Sequence, residues 1–349
     1  MLTEVTVRPA VRHAPLAGLV VLLSLLLVSC GRTSSTGDRS PTPPVGPAAT
    51  LSAQPAPPPT PPTSGPARIV QARNVAGRTW DVTIHSPAVG AAVPVRLLLP
   101  VRFDREPRRN WPVLYLLHGC CDSYLSWTRS TDIDQLTSGS DVLVVMPDAG
   151  PAGFYSNWLD GPQWETFHLI ELPTLLAKHY RAGTPQAIAG VSMGGLGALG
   201  YAARHPGTFT VAGSFSGIVD TRLSDEESQA YRGLVQSQSE DPDRLWGDPT
   251  THQEVWQAHN PIDLAPQLEG TRLFVSAGNG QPGPLDPPGT SADETETAIG
   301  AENAAFVQQI KVLHLDAQVD LYGDGTHTWV YWQRELHRAW PLLRRGLGQ

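Results

Sequence analysis

Apolar residues change their spacing three times along the chain. From Ala14 to Ser29 they are almost continuous, from Gly31 to about Pro66 large ones nearly vanish, and from Ile69 onward they return in ordered runs. Between Ile69 and Phe103, "WDVTIHS" alternates apolar and polar positions. "VPVRLLLPVRF" follows, with Gly90 and Pro94 between, and the pair predicts an antiparallel hairpin. Beyond it the period is lost. "WPVLYLLHG", "DVLVVMPDAG", "QAIAGVS", "FTVAGSFSG" and "RLFVSAGNG" are uninterrupted apolar runs that end in glycine or polar residues, and "QVDLYGDGTH" adds a final strand. Helix-period stretches separate them, the pattern of parallel strands covered on both faces. The predicted fold class is therefore α/β: a mostly parallel sheet with an antiparallel N-terminal hairpin and helices on both faces. Sites in such sheets gather at the carboxyl ends of the strands. Those ends are His118-Gly119, Pro147-Asp148, Ser192, Ser216-Gly217, Gly278 to Gly280 and His327. A long insertion near 218–270 breaks the repetition and is expected to form a lid-like subdomain.

The earlier segments change the picture of where this domain works. Arg8 and Arg12 precede the first apolar run, so residues 1–29 read as an export signal outside the fold. The run ends in Leu27-Val28-Ser29-Cys30, which resembles a bacterial lipobox; Cys30 is then the lipidated mature N-terminus, anchored to the outer face of the cell membrane, the alternative being a plain cleaved signal and a secreted protein. Residues 30–66 are rich in proline and too poor in large apolar side chains to bury a core, and they read as a disordered tether. At roughly 3 Å per residue, such a tether spans tens of Å. Residues 67–349 have the length of one α/β domain. The net charge of −8, with no basic stripe, argues against a nucleic-acid partner. Of three cysteines, Cys120 and Cys121 are adjacent, so there is no disulfide framework and no C-x-x-C pair; two small, partly buried thiols are expected rather than a strained vicinal disulfide.

The stretch "GVSMGGLGALG", residues 190–200, satisfies two signatures. Gly195, Gly197 and Gly200 spell a dinucleotide fingerprint, with Asp220 near the place of a ribose acid. Gly190, Ser192 and Gly194 spell a nucleophile elbow. The elbow fits better, because Ser192 follows a predicted strand directly and opens a helix, whereas the fingerprint glycines fall inside that helix. Export also removes the nicotinamide cofactor from reach. A serine nucleophile needs a base, and an acid to orient that base. Among eleven histidines, His327 stands in the glycine-bearing loop "YGDGTHTW" after the last strand. For the acid, Asp293, Glu294, Glu296 and Glu302 are all available, and spacing does not choose among them.

The stretches "VLYLLHG", "VVMPDAGPAGFYSNW", "WETFHLIELP", "GVSMGG", "AARHPGTFTVAGSFSG", "LWGDPTTHQEVWQAHNP", "RLFVSAGNG" and "YGDGTHTWVYW" cover nearly all of 80–340. In that order they resemble the esterase D-like α/β-hydrolases, and within them the secreted mycolyltransferases of antigen 85 type and their actinobacterial esterase relatives. The resemblance implies an α/β-hydrolase fold, with Ser192 as nucleophile and His327 as general base. The family acid stands ten residues before a helix phenylalanine and seven before an asparagine; Phe306 and Asn303 both point back to Glu296, with Glu294 the fallback. The backbone N–H groups of Met193 and Cys120 are then the oxyanion donors. The implied chemistry is acyl transfer through Ser192, from an acyl ester or lipid substrate, to water in an esterase or to a sugar or glycerolipid hydroxyl in an acyltransferase. Where the family has an acid and an arginine that contact trehalose, this chain has His118 and Cys121, so hydrolysis is the expected default. Trp329 matches a family tryptophan beside the acceptor. No cofactor or metal is expected, since there is no H-E-x-x-H and no Cys or His pair at ligand spacing. A non-catalytic surface binding protein on this fold is the alternative from another class.

Overall fold

The computed structural model describes residues 65–349. The signal segment 1–29, Cys30 and the tether through residue 64 lie outside the described residues. Three antiparallel strands come first: β1 (Arg68–Ala76), β2 (Thr79–Ser86) and β3 (Ala91–Leu98). The alternation in β2 buries Val82, Ile84 and Ser86 and turns the residues between them outward, which pins its register. β1 extends the expected hairpin to a three-stranded meander. It is the sheet edge and leaves nearly every side chain exposed, so its sequence carries no period-two signal.

Six strands follow: β4 (Trp111–Leu117), β5 (Leu143–Pro147), β6 (Ala182–Val191), β7 (Val211–Phe215), β8 (Arg272–Gly278) and β9 (Ala317–Gly323). Their mutual pairings are all parallel, and β3 joins β5 antiparallel, giving one nine-stranded sheet of order β1-β2-β3-β5-β4-β6-β7-β8-β9. The continuous apolar runs have a direct physical cause. Along β4, Val113, Tyr115 and Leu117 enter one core cluster while Leu114 and Leu116 enter the other, so no position is left for a polar residue.

The helices in chain order are α1 (Ser126–Ser130), α2 (Ile133–Leu136), α3 (Trp164–Thr166), α4 (Leu172–Tyr180), α5 (Met193–Arg204), α6 (Asp225–Ser237), α7 (Asp243–Trp246), α8 (Gln253–His259), α9 (Glu294–Val312) and α10 (Trp329–Gly346). Leu176 of α4, Leu199 of α5 and Phe306 of α9 pack on one face of the sheet; Trp127 of α1, Ile133 of α2 and Leu336 of α10 pack on the other. Residues 218–270 hold α6 to α8, and Tyr231, Val235, Trp246 and Trp256 join the same cluster as α9. This segment is therefore fastened to the core by large side chains. Among the described residues, no helix is long and apolar enough to cross a membrane.

Candidate active site

Ser192 sits between the end of β6 and the first residue of α5, with φ 55° and ψ −122°. A side-chain-bearing residue rarely adopts that backbone, and it persists where the surroundings over-determine it. Two glycines make the turn physically admissible. A Cβ at Gly190 would lie 2.1 Å from the Gly194 carbonyl oxygen, and one at Gly194 would lie 2.4 Å from that of Leu117. The Ser192 N–H donates to Phe215 O on β7 (3.1 Å), which fastens the turn to the neighbouring strand. The later glycines belong to helix packing instead: Gly195 abuts Gly217 and Gly197 abuts the Tyr155 ring. Asp220, placed for a ribose in the fingerprint arrangement, accepts from the Arg222 N–H and Asn260 Nδ2.

His327 lies in the loop between β9 and α10, and its Nδ1 is 2.7 Å from Glu296 Oε2. Glu296 is fully buried in the first turn of α9. Its other oxygen accepts from Ser216 Oγ (2.8 Å), the Gly278 N–H (2.6 Å) and Tyr322 OH (3.3 Å). A carboxylate held by that many donors has one orientation. Glu294 points to solvent on the same turn. Glu302 is buried elsewhere, accepting from the N–H groups of Val219 and Asp220 and from Tyr231 OH. Ser192, His327, Cys120 and Trp329 share one cavity of about 280 Å³, lined also by Asp122 and Trp332.

The turn after β4 forms the other wall. Its backbone is fixed from three sides: Trp127 Nε1 donates to Leu117 O (3.1 Å), Tyr155 OH to His118 O (2.9 Å), and the Cys121 N–H to Pro151 O (2.6 Å). Met193, the first residue of α5, has an N–H with no carbonyl to meet inside the helix. His118, expected among the substrate contacts, is not brought to the cavity. It is buried, with Nδ1 on Gly119 O (2.8 Å) and Nε2 accepting from the Ala149 N–H (3.0 Å), and burial lowers its pKa. Cys121 also leaves the cavity: the residue is exposed, and its sulfur accepts from Gln238 Nε2 (3.4 Å). Cys120 and Cys121 are free thiols. Trp329 is both wall and packing, with its ring 5.3 Å from Trp127 and 5.1 Å from Trp332.

One residue acquires a role that sequence reasoning did not assign. Asp293 caps α9 through the Glu296 N–H (3.1 Å) and with its second oxygen accepts the His327 N–H (2.9 Å). A single carboxylate thus indexes the helix that carries Glu296 against the loop that carries His327. The signal was present as Asp293-x-x-Glu296, the spacing of a helix capping box.

The geometry has company among known proteins. A family model described as "Putative esterase" matches residues 86–343. The chain is 30% identical over 280 residues to the diacylglycerol acyltransferase/mycolyltransferase Ag85B of Mycobacterium leprae, covering 76% of this chain and 83% of that one. It is 32% identical over 252 residues to the esterase Rv1288 of Mycobacterium tuberculosis, covering 70% of this chain and 54% of that protein. Among solved structures, MPT51 of Mycobacterium tuberculosis superposes with a TM-score of 0.63 at 26% identity, over 75% of this chain and 96% of that one. An S-formylglutathione hydrolase from Agrobacterium tumefaciens shares the fold, with a TM-score of 0.64 at 19% identity over 80% and 99% of the two chains.

Proposed function

The chain belongs to the esterase family whose model spans residues 86–343, and from that membership we propose that it hydrolyses acyl or lipid esters with Ser192 as nucleophile, His327 as general base and Glu296 as orienting acid. The observation that carries this reading is one cavity in which Ser192, on a strained turn, faces the loop of a histidine tied by its Nδ1 to a buried carboxylate. With Nδ1–H donated to Glu296, Nε2 is the acceptor, the tautomer that can take the Ser192 proton. Ser192 Oγ attacks the ester carbonyl, the alcohol leaves with that proton, and water activated by the same imidazole releases the acid from the acyl-enzyme. The oxyanion forms against the N–H groups of Met193 and Cys120, and the N-terminus of α5 adds its dipole. Each such donor is worth about 3 kcal/mol in the transition state.

Transfer to an alcohol in place of water is the second reading, favoured by the 30% identity to an acyltransferase and by the indole wall of Trp329 and Trp332 beside Ser192. We place the protein outside the cytoplasm, anchored through Cys30; mass spectrometry of the mature N-terminus tests that, and an unmodified end downstream of Cys30 overturns it. The catalytic assignment is tested by labelling with a fluorophosphonate probe. Ser192 should carry the adduct and Ser192→Ala should not react. An unreactive wild-type protein would favour the non-catalytic binding role instead.

A further inference from the structure

Cys120 and Cys121 are adjacent free thiols on the turn that walls the proposed active site. The backbone sends their side chains to different places: Cys120 is half-buried and lines the cavity, while Cys121 is exposed. Cys121 has φ 64°, in the left-handed region that a residue with a Cβ seldom adopts, and its N–H is held by Pro151 O. One donor faces its sulfur, Nε2 of Gln238, the residue that caps the C-terminal end of α6, and the Cys120 thiol is its neighbour along the chain. Donors favour a thiolate. The Cys120 hydrogen bond brings the Cys121 thiol down to about 7, against the effect of its partial burial, and the same bond pushes Cys120 up. Exposure and thiolate character together mark a cysteine that reacts, and a second thiol on the adjacent residue is placed to resolve the product.

We propose that Cys120 and Cys121 form a modification site that hydroperoxides oxidise to a vicinal disulfide, and that this closes down the neighbouring ester chemistry. The Cys121 thiolate attacks one peroxide oxygen. The O–O bond breaks, an alcohol (water, for hydrogen peroxide) leaves after taking a proton, and Cys121 becomes a sulfenic acid. The Cys120 sulfur gives up its proton and attacks the Cys121 sulfur; the S–O bond breaks and its oxygen leaves as water. Two thiols have lost two electrons to one peroxide. The new bond closes a ring through the 120–121 peptide, so the dihedrals on either side of that peptide must rotate. Cys121 is pinned to Pro151 on one side, and the displacement passes to Cys120, whose N–H faces the oxyanion. That consequence for turnover rests on the proposed function; the thiol chemistry does not.

The test treats the reduced full chain with hydrogen peroxide, alkylates what remains, and follows both the tryptic peptide Asn110–Arg129, which holds both cysteines, and p-nitrophenyl butyrate turnover. The peptide should lose two hydrogens and resist alkylation. Turnover should fall about a hundredfold, as when one oxyanion donor is removed, and dithiothreitol should restore both. Cys120→Ser should stop at one added oxygen on Cys121. Cys121→Ser should stay reduced, keeping the turnover it had before peroxide. Two thiols that alkylate as freely after peroxide as before would overturn the site. A disulfide formed with no change in turnover would overturn the switch. The mass readout decides the modification whichever ester the protein accepts, so a failed esterase assignment would be seen before any peroxide is added.

Discussion

Ser192 and His327 stood out in the sequence because glycines mark both, on either side of Ser192 and just ahead of His327, whereas the proposed acid was a matter of helix phase. Glu294 and Glu296 differ only in which way they turn on the first turn of α9, and that turn buries one and exposes the other. Resemblance chose Glu296; local pattern could not. The three groups act as one unit in the proposed mechanism, so Ser192→Ala and His327→Ala should each lower kcat by about 10⁴-fold or more, with the double variant scarcely worse. Glu296→Gln should retain more activity than either. Full activity in Glu296→Gln alongside loss in Glu294→Gln would reassign the acid. Asp293 separates two effects. Asp293→Ala should lose about 1 kcal/mol of stability with the helix cap, while Asp293→Asn keeps a capping oxygen but turns an NH₂ toward the His327 N–H. Thermal melting should therefore spare Asp293→Asn and kcat should fall about tenfold, the scale of one hydrogen bond to a charged group. Wild-type kcat in Asp293→Asn would show that the loop is held without it.

Among the elements, strands β4 to β8 announce themselves because burial on both faces fills their inner stretches with apolar or small residues, and β1 does not because an edge strand with exposed side chains obeys no such rule. The 218–270 insertion was visible as a break in the repeat, yet its attachment was not. That attachment depends on Glu302 of α9, which reaches the N–H groups of Val219 and Asp220 and the Tyr231 hydroxyl of α6. Burial raises the Glu302 carboxyl to about 8. The folded chain therefore keeps this proton up to about pH 8, while the unfolded chain gives it up near the ordinary glutamate value. Between those limits the unfolded state binds fewer protons, so this group's contribution is complete in acid and is lost as pH rises through the folded pKa. Relative to Glu302→Gln, the wild-type protein should lose stability by up to about 1.4 kcal/mol per pH unit across that window. Urea unfolding of both proteins from acid to mildly alkaline pH measures it; parallel curves would mean that Glu302 ionises in the fold as freely as in water.

For the molecule as a whole, fold and reaction class could be read from the chain, but acceptor choice turns on where a few side chains of one turn point. His118 and Cys121, which the family resemblance put at the acceptor side of the site, are both directed away from the cavity, one into the core and one to the surface. Near Ser192 the cavity is lined by the indole wall of Trp329 and Trp332, by Val191 and Cys120, by Thr328, whose hydroxyl is paired with that of Thr326 (3.3 Å), and by a single carboxylate, Asp122, which is already paired with Arg129 at 2.6 Å. A site that hydrogen-bonds a hydroxyl-rich acceptor discriminates by several kcal/mol, and one lacking those partners forfeits about that much. Water should therefore be the main acceptor, with an apolar alcohol such as diacylglycerol second and trehalose not used. Trehalose added to p-nitrophenyl ester assays should neither speed p-nitrophenol release nor appear acylated, because an acceptor accelerates deacylation only by binding beside the acyl-enzyme. Thin-layer chromatography and mass spectrometry of the products, at matched concentrations of trehalose and diacylglycerol, decide between these outcomes. Free acid should dominate every mixture; acyl-trehalose in excess of free acid would make the protein a sugar acyltransferase and would require a polar acceptor contact outside the cavity that holds Ser192.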